Sequence, residues 1–136
     1  MKRCLLAIAL APSFISVAAP AFAQPITAVA PADRYFGRLQ MSILGVRNSL
    51  RDLSQQLDAH PDNAAHVYDK AVFVDDALHD WAKKFPNDPW IPAFTYSLAE
   101  LYRKIDTEDA RVRKNDTLDW LIVTYPASDY AKTARI

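Results

Sequence analysis

Cysteine is nearly missing from this chain. The 136 residues hold one, Cys4. It lies in an N-terminal stretch that reads as a secretory signal: Lys2 and Arg3 first, an apolar run from Leu5 to Ala11, and the small-residue site Ala21-Phe22-Ala23. Pro12, Ser13, Ser16 and Pro20 interrupt that run, which is too short for a spanning helix. The expected cut lies between Ala23 and Gln24, and the expected destination is the periplasm. The mature chain then carries no cysteine, which excludes disulfides, thiolate metal sites, a catalytic thiol and a covalently attached haem. Packing alone must hold such a domain together.

Glycine is scarce too. Only Gly37 and Gly45 are present, and no strand-like alternation bounded by turn residues appears. Runs of like charge are absent. Losing Lys2 and Arg3 with the signal leaves 14 basic against 16 acidic residues. A near-neutral, mixed surface gives no electrostatic reason to expect nucleic acid or an anionic membrane as partner. After cleavage, no stretch is suited to stable membrane insertion.

Catalytic signatures are also lacking. There is no Gly-x-Ser-x-Gly, no phosphate-binding glycine loop and no His-Glu-x-x-His, so the chain is read as no enzyme. His60, His66 and His79 stand with Asp75, Asp76 and Asp80 as the residues that could suggest a metal. Asp75 and His79 share a helical face, but no second His lies one turn away and no Glu-x-x-His pair exists. Asp75, Asp76, Asp80 and Glu100 would need an enclosed cleft to act in acid–base chemistry. These residues are read as a solvated charged face, with no metal and no cofactor.

What is present is helical spacing. Residues 24–32 form a leader expected to be flexible, and residues 33–136 a single helical domain. Asp33 is the expected cap of a first helix over 34–59. Its apolar positions Phe36, Leu39, Ile43, Val46, Leu50, Leu53 and Leu57 recur at steps of three and four. After His60-Pro61-Asp62, capped by Asp62 or Asn63, a second seam runs through Ala64, Val67, Ala71, Val74, Leu78, Trp81 and Phe85. Two matched seams across a short turn predict an antiparallel hairpin. Ala64 and Ala71 permit close approach near its turn.

Phe85-Pro86-Asn87-Asp88-Pro89-Trp90 ends the second helix and starts a third. Pro86 breaks the ladder, Asp88 caps, and Pro89 takes the first helical position. Phe85 and Trp90 are expected to be buried anchors, so that Trp90→Ala would cost about 2–4 kcal/mol. The third helix carries Ile91, Phe94, Leu98, Leu101 and Ile105, with Tyr102 beside them. Thr107 is the expected cap of a fourth helix running to about Thr124, with Leu118, Leu121, Ile122 and Tyr125 buried. Tyr125-Pro126-Ala127-Ser128-Asp129-Tyr130 repeats the earlier turn, and Ser128 caps a short last helix. The expected fold is all-α: two antiparallel helical hairpins plus a C-terminal helix.

Ala99-Glu100-Leu101-Tyr102, Ala110, Leu118, Leu121 and Tyr125 to Ala131, with the turn at Phe85 to Trp90, carry a resemblance. Over residues 81–132 the chain resembles tetratricopeptide repeats, in particular the variant found in periplasmic outer-membrane assembly and cell-division coordinator proteins. The spacing of 40 from turn to turn exceeds the usual 34, and two helix pairs fall short of the three repeats a solenoid commonly uses. The resemblance therefore implies either a tetratricopeptide-like pair of hairpins or the same helices closed into a four-helix bundle.

Apolar residues off the seams are the candidate contacts. Gly37, Met41, Leu44 and Gly45 fall together on a continuous first helix, where two glycines eight apart suggest a close backbone approach. Packing within the chain or a contact with a partner, including a second copy, would each explain them. Tyr35, Tyr96 and Trp120 also lie off the stripes. The expected function is a non-enzymatic periplasmic interaction or adaptor protein that binds a protein or peptide. The alternatives are a metal- or small-ligand-binding bundle and a periplasmic chaperone.

Overall fold

The computed structural model describes residues 29–136. The expected signal and its cut between Ala23 and Gln24 lie outside the described residues, as do residues 24–28 of the leader. The described chain is all-α but for a two-strand ribbon. Strands β1 (Tyr35–Phe36) and β2 (Met41–Ser42) pair antiparallel. Helices α1 (Ile43–Ala59), α2 (Ala64–Lys84), α3 (Trp90–Arg103), α4 (Glu108–Thr124) and α5 (Asp129–Ala134) follow.

The first helix is therefore shorter at its start than its heptad spacing predicts. Gly37 has φ +67 and Gln40 has φ 51, and Gln40 N–H donates to Gly37 O at 3.1 Å, so the chain turns here. Ser42, not Asp33, caps α1; its side chain accepts from Gly45 N–H at 3.0 Å. Phe36 still reaches the core, from β1: its ring stacks on Trp81 with centroids 5.3 Å apart and meets Phe85 edge-on. Leu39, counted on the seam, sits exposed in the turn. Short-range periodicity cannot separate these cases, because a hairpin can return an apolar residue to the same core.

Two acids of α2 hold the ribbon down. Gly37 N–H donates to Asp80 Oδ2 at 2.8 Å, and Arg38 N–H donates to Asp76 Oδ2 at 2.7 Å. Pro61–Asn63 form a single 3-10 turn before α2, and Asn63 makes no side-chain cap bond. Inside the α1–α2 hairpin, Val46, Leu50, Leu53 and Leu57 meet Val67, Ala71, Val74 and Leu78. Ala71 is fully buried, as close approach near the turn requires.

At the second turn, Asp88 carries more than a cap. Its Oδ1 accepts from Trp90 N–H at 3.0 Å, the expected interaction at the start of α3. Its Oδ2 accepts from Trp81 Nε1–H at 3.0 Å and from Ala30 N–H at 2.8 Å. The carboxylate is buried, and so is Ala30. The end of the leader is thereby fastened to the junction of α2 and α3. Trp90 is not the buried anchor expected of it, being 54% exposed; Trp81, one helix earlier, is fully buried.

Thr107 caps α4 by accepting from Ala110 N–H, and Ser128 caps α5 by accepting from Ala131 N–H, both as their sequence positions predict. On α4, Leu121 is buried, whereas Leu118, Ile122 and Tyr125 are half-buried. α2 packs on both α1 and α3, and α4 packs closely on α3. α1 and α4, which a closed four-helix bundle would join, are not among the closely packed pairs. The two hairpins stand side by side as an open stack.

Candidate partner-binding trough

Stacking hairpins in this way places α1 beside α3. The helices run parallel. Leu44 and Ile43 at the start of α1 share a cavity wall with Trp90 and Phe94 at the start of α3. At the other end, Lys104 follows α3 and its Nζ donates to Ser54 Oγ at 2.7 Å and to Asp58 Oδ1 at 2.8 Å, near the end of α1. Between these ends lies a trough.

Two helical stripes form its walls. α1 contributes Leu44, Arg47, Arg51 and Ser54, and α3 contributes Trp90, Phe94, Ser97 and Leu101. Both sets recur at steps of three and four, so each lies on one helical face. The end beside the leader is apolar and holds about 280 Å³, lined also by Ala30 and Ala32. The rest holds about 460 Å³ and is more polar, with Tyr96 and Glu100 on the α3 side. Arg47 and Phe94 line both parts, so the two are continuous.

The apolar end leaves large side chains in water. Leu44 is 53% exposed, and Trp90 stacks on Phe94 with centroids 6.1 Å apart while exposing one side. An exposed aromatic held by a neighbouring ring loses little freedom on binding, which favours it as a contact residue.

The candidate contact residues are distributed over several places. Leu44 and Tyr96 line the trough. Met41 is half-buried and lines a different cleft, between α1 and α2, with Asp52, His66 and Lys70. Gly37 does approach a backbone closely, but inside its own chain: a Cβ there would lie 2.8 Å from Ala77 Cα. Gly45 sits in the first turn of α1 against its cap Ser42. Gly37 and Gly45 thus share no helical face. Trp120 stacks on His79, with ring centroids 4.1 Å apart, and meets Tyr125 edge-on. Trp90, Phe94 and Arg47 were not among the expected contacts. Trp90, Phe94, Ser97 and Leu101 recur at steps of four, three and four, but Trp90 counts in the sequence as a core anchor and Phe94 and Leu101 as members of the third helix's apolar seam, so spacing alone does not set this stripe apart.

The acids of α2 mostly serve the fold. Asp76 and Asp80 hold the ribbon. Asp75 is buried, with Oδ1 3.1 Å from His79 Nδ1 and Oδ2 accepting from Arg113 at 3.3 Å. His79 Nδ1 also lies 3.0 Å from the Asp75 carbonyl oxygen. The hydrogen bond to Asp75 raises the imidazole pKa above its ordinary value, against the opposing effect of burial. Burial has the opposite effect on the nearby Tyr102 hydroxyl, whose pKa it pushes up. Asp75 therefore joins α4 to α2. Among the described residues, no three His, Cys, Asp or Glu side chains converge as a metal cage. No described helix is long and apolar enough to cross a membrane.

Comparison with known proteins finds no match among family models, curated proteins or solved structures.

Proposed function

We propose that this chain is a non-enzymatic periplasmic adaptor of tetratricopeptide-like build, which holds a protein or peptide partner in the trough between α1 and α3. The observation that carries the reading is the parallel placement of α1 and α3, with Leu44 and Trp90 exposed and Phe94 half-buried along the groove between them. Grooves lined by exposed aromatic and aliphatic anchors are what helical modules offer to peptides. The repeated aromatic-proline turns and the expected secretion signal support the same reading. The open stack favours it over a ligand-enclosing bundle, because no described cavity is closed off between the two hairpins.

Photo-crosslinking in the envelope tests it. A crosslinker at Ser54 or Ser97, inside the trough, should capture a partner that one at Asp116, on α4, does not. Capture should vanish when Trp90→Ala or Leu44→Ala is added. Equal capture from all positions, or capture indifferent to Trp90 and Leu44, would sink the proposal. Cell fractionation and N-terminal sequencing of the mature form, expected to begin at Gln24, test the location.

A further inference from the structure

The trough is chemically lopsided. Its cations are Arg47, Arg51 and Lys104, and Glu100 is its one lining acid. Arg51 is paired with Asp52, Lys104 with Asp58, and Glu100 with Arg103. Arg47 alone among these cations has no carboxylate within ion-pair distance among the described residues, and it stands where the apolar and polar parts meet. An unpaired guanidinium beside an aromatic floor matches a carboxylate, which it can hold through two parallel hydrogen bonds.

We propose that the trough takes an internal segment of a partner protein that carries an apolar side chain and, two residues away, an Asp or Glu. This rests on the trough being the binding site. The apolar side chain enters between Leu44, Trp90 and Phe94, and the carboxylate meets Arg47. Leu44 and Arg47 are three residues apart, roughly 4.5 Å along the helix. In an extended peptide, side chains two apart point the same way, about 6.6 Å along. That spacing can serve both contacts.

The segment is internal because the trough does not end at Arg47. Arg51 and Ser54 continue it by roughly 6 and 10 Å at the helical rise, with Ser97 facing them from α3. A partner that stopped at a terminal carboxylate on Arg47 would leave that length empty. The chain's own leader is a poor occupant, since Gln24 to Ala28 contains no carboxylate.

A display library of random decapeptides, fused at both ends so that no terminus is free, is selected on residues 24–136. The same selection is run on R47A and W90A, with helicity checked by circular dichroism. The expected result is enrichment of peptides with an apolar residue two positions from Asp or Glu. R47A should reduce the preference for the acid by about tenfold, the factor of one charge-assisted bond, while W90A should weaken binding of all selected peptides. Enriched peptides that bind through Trp90 but show no acid, or do not respond to R47A, overturn the inference and leave the adaptor reading standing. Peptides that bind only with a free C-terminus overturn the internal-segment claim. No enrichment at all overturns both.

Discussion

The indole Nε1–H of Trp81 donates to Oδ2 of Asp88 at 3.0 Å, seven residues along the chain and across the turn between α2 and α3. The same oxygen accepts from Ala30 N–H, and Oδ1 accepts from Trp90 N–H. One carboxylate thus ties together the leader, the end of α2 and the start of α3. A buried acceptor with three donors cannot be removed cheaply, because the donors are left without partners.

Asp88→Ala is expected to lower unfolding free energy by about 3 kcal/mol. Asp88→Asn keeps one acceptor oxygen but turns an amide N–H₂ toward a donor, and should cost about 1–2 kcal/mol. Urea denaturation followed by tryptophan fluorescence measures both. A loss under about 0.5 kcal/mol for the alanine variant, the range of neutral surface changes, would show that this carboxylate does not organise the junction.

Gly37→Ala should be costly for two separate reasons. The residue holds φ +67, and its added Cβ would lie 2.8 Å from the Ala77 backbone. The expected loss is about 2–3 kcal/mol. Gly45→Ala is the contrast: the position is helical, and the new Cβ would meet Ser42 Oγ at 3.3 Å and, at ordinary contact distance, Met41 Cβ at 3.8 Å. The gain in helix propensity offsets that crowding, so the change should stay within about 1 kcal/mol. Equal destabilisation by the two substitutions would contradict this account of the ribbon.

Most of the helical frame was legible because it rests on local rules. Seams at steps of three and four located the body of α1 and all of α2. Pro86 and Pro126 marked the interruptions by lacking the N–H that a helix needs, and Asp88, Thr107 and Ser128 by cap hydrogen bonds that span two or three residues. The ribbon was not legible in the same way. Phe36 and Leu39 keep helical spacing, and only the positive φ at Gly37 and Gln40 breaks it, held by Asp76 and Asp80 some 40 positions later. The trough was half legible. Leu44 and Tyr96 stood out as off-seam residues, but that α1 lies parallel to α3 follows from how the hairpins stack, which no local spacing encodes. Trp90 was misjudged because an aromatic after a capping turn has two faces to choose from, and Trp81 already fills the core.

The two tryptophans flanking that turn should therefore behave oppositely. Trp81→Ala removes a fully buried side chain and should cost about 3–5 kcal/mol. Trp90→Ala removes a half-exposed ring and should cost about 1 kcal/mol or less, while abolishing partner capture from the trough. Denaturation midpoints and crosslinking yield, measured on the same variants, separate the two effects. A Trp90→Ala variant as unstable as Trp81→Ala would return Trp90 to the core and remove the main support for the trough.

His79 gives the fold a pH dependence whose sign is set by Asp75. The groups facing its ring are Asp75 and Asp76 on α2, Arg38 beside the ribbon, and Arg113 and Trp120 on α4. The hydrogen bond to Asp75 raises the imidazole pKa in the folded state above its ordinary 6.5. A raised folded value means that the folded chain binds the proton more tightly than the unfolded chain. The stabilisation is fully present below the unfolded pKa and is lost as pH rises through the folded one. Unfolding free energy from urea titrations should thus increase as pH falls from 8 to 6. His79→Gln should flatten that slope, and Asp75→Asn should bring the imidazole titration, followed by NMR, back toward its ordinary value. A wild-type stability that falls over the same interval, with His79→Gln showing the same slope, would mean that the Asp75–His79 contact contributes nothing to the folded state.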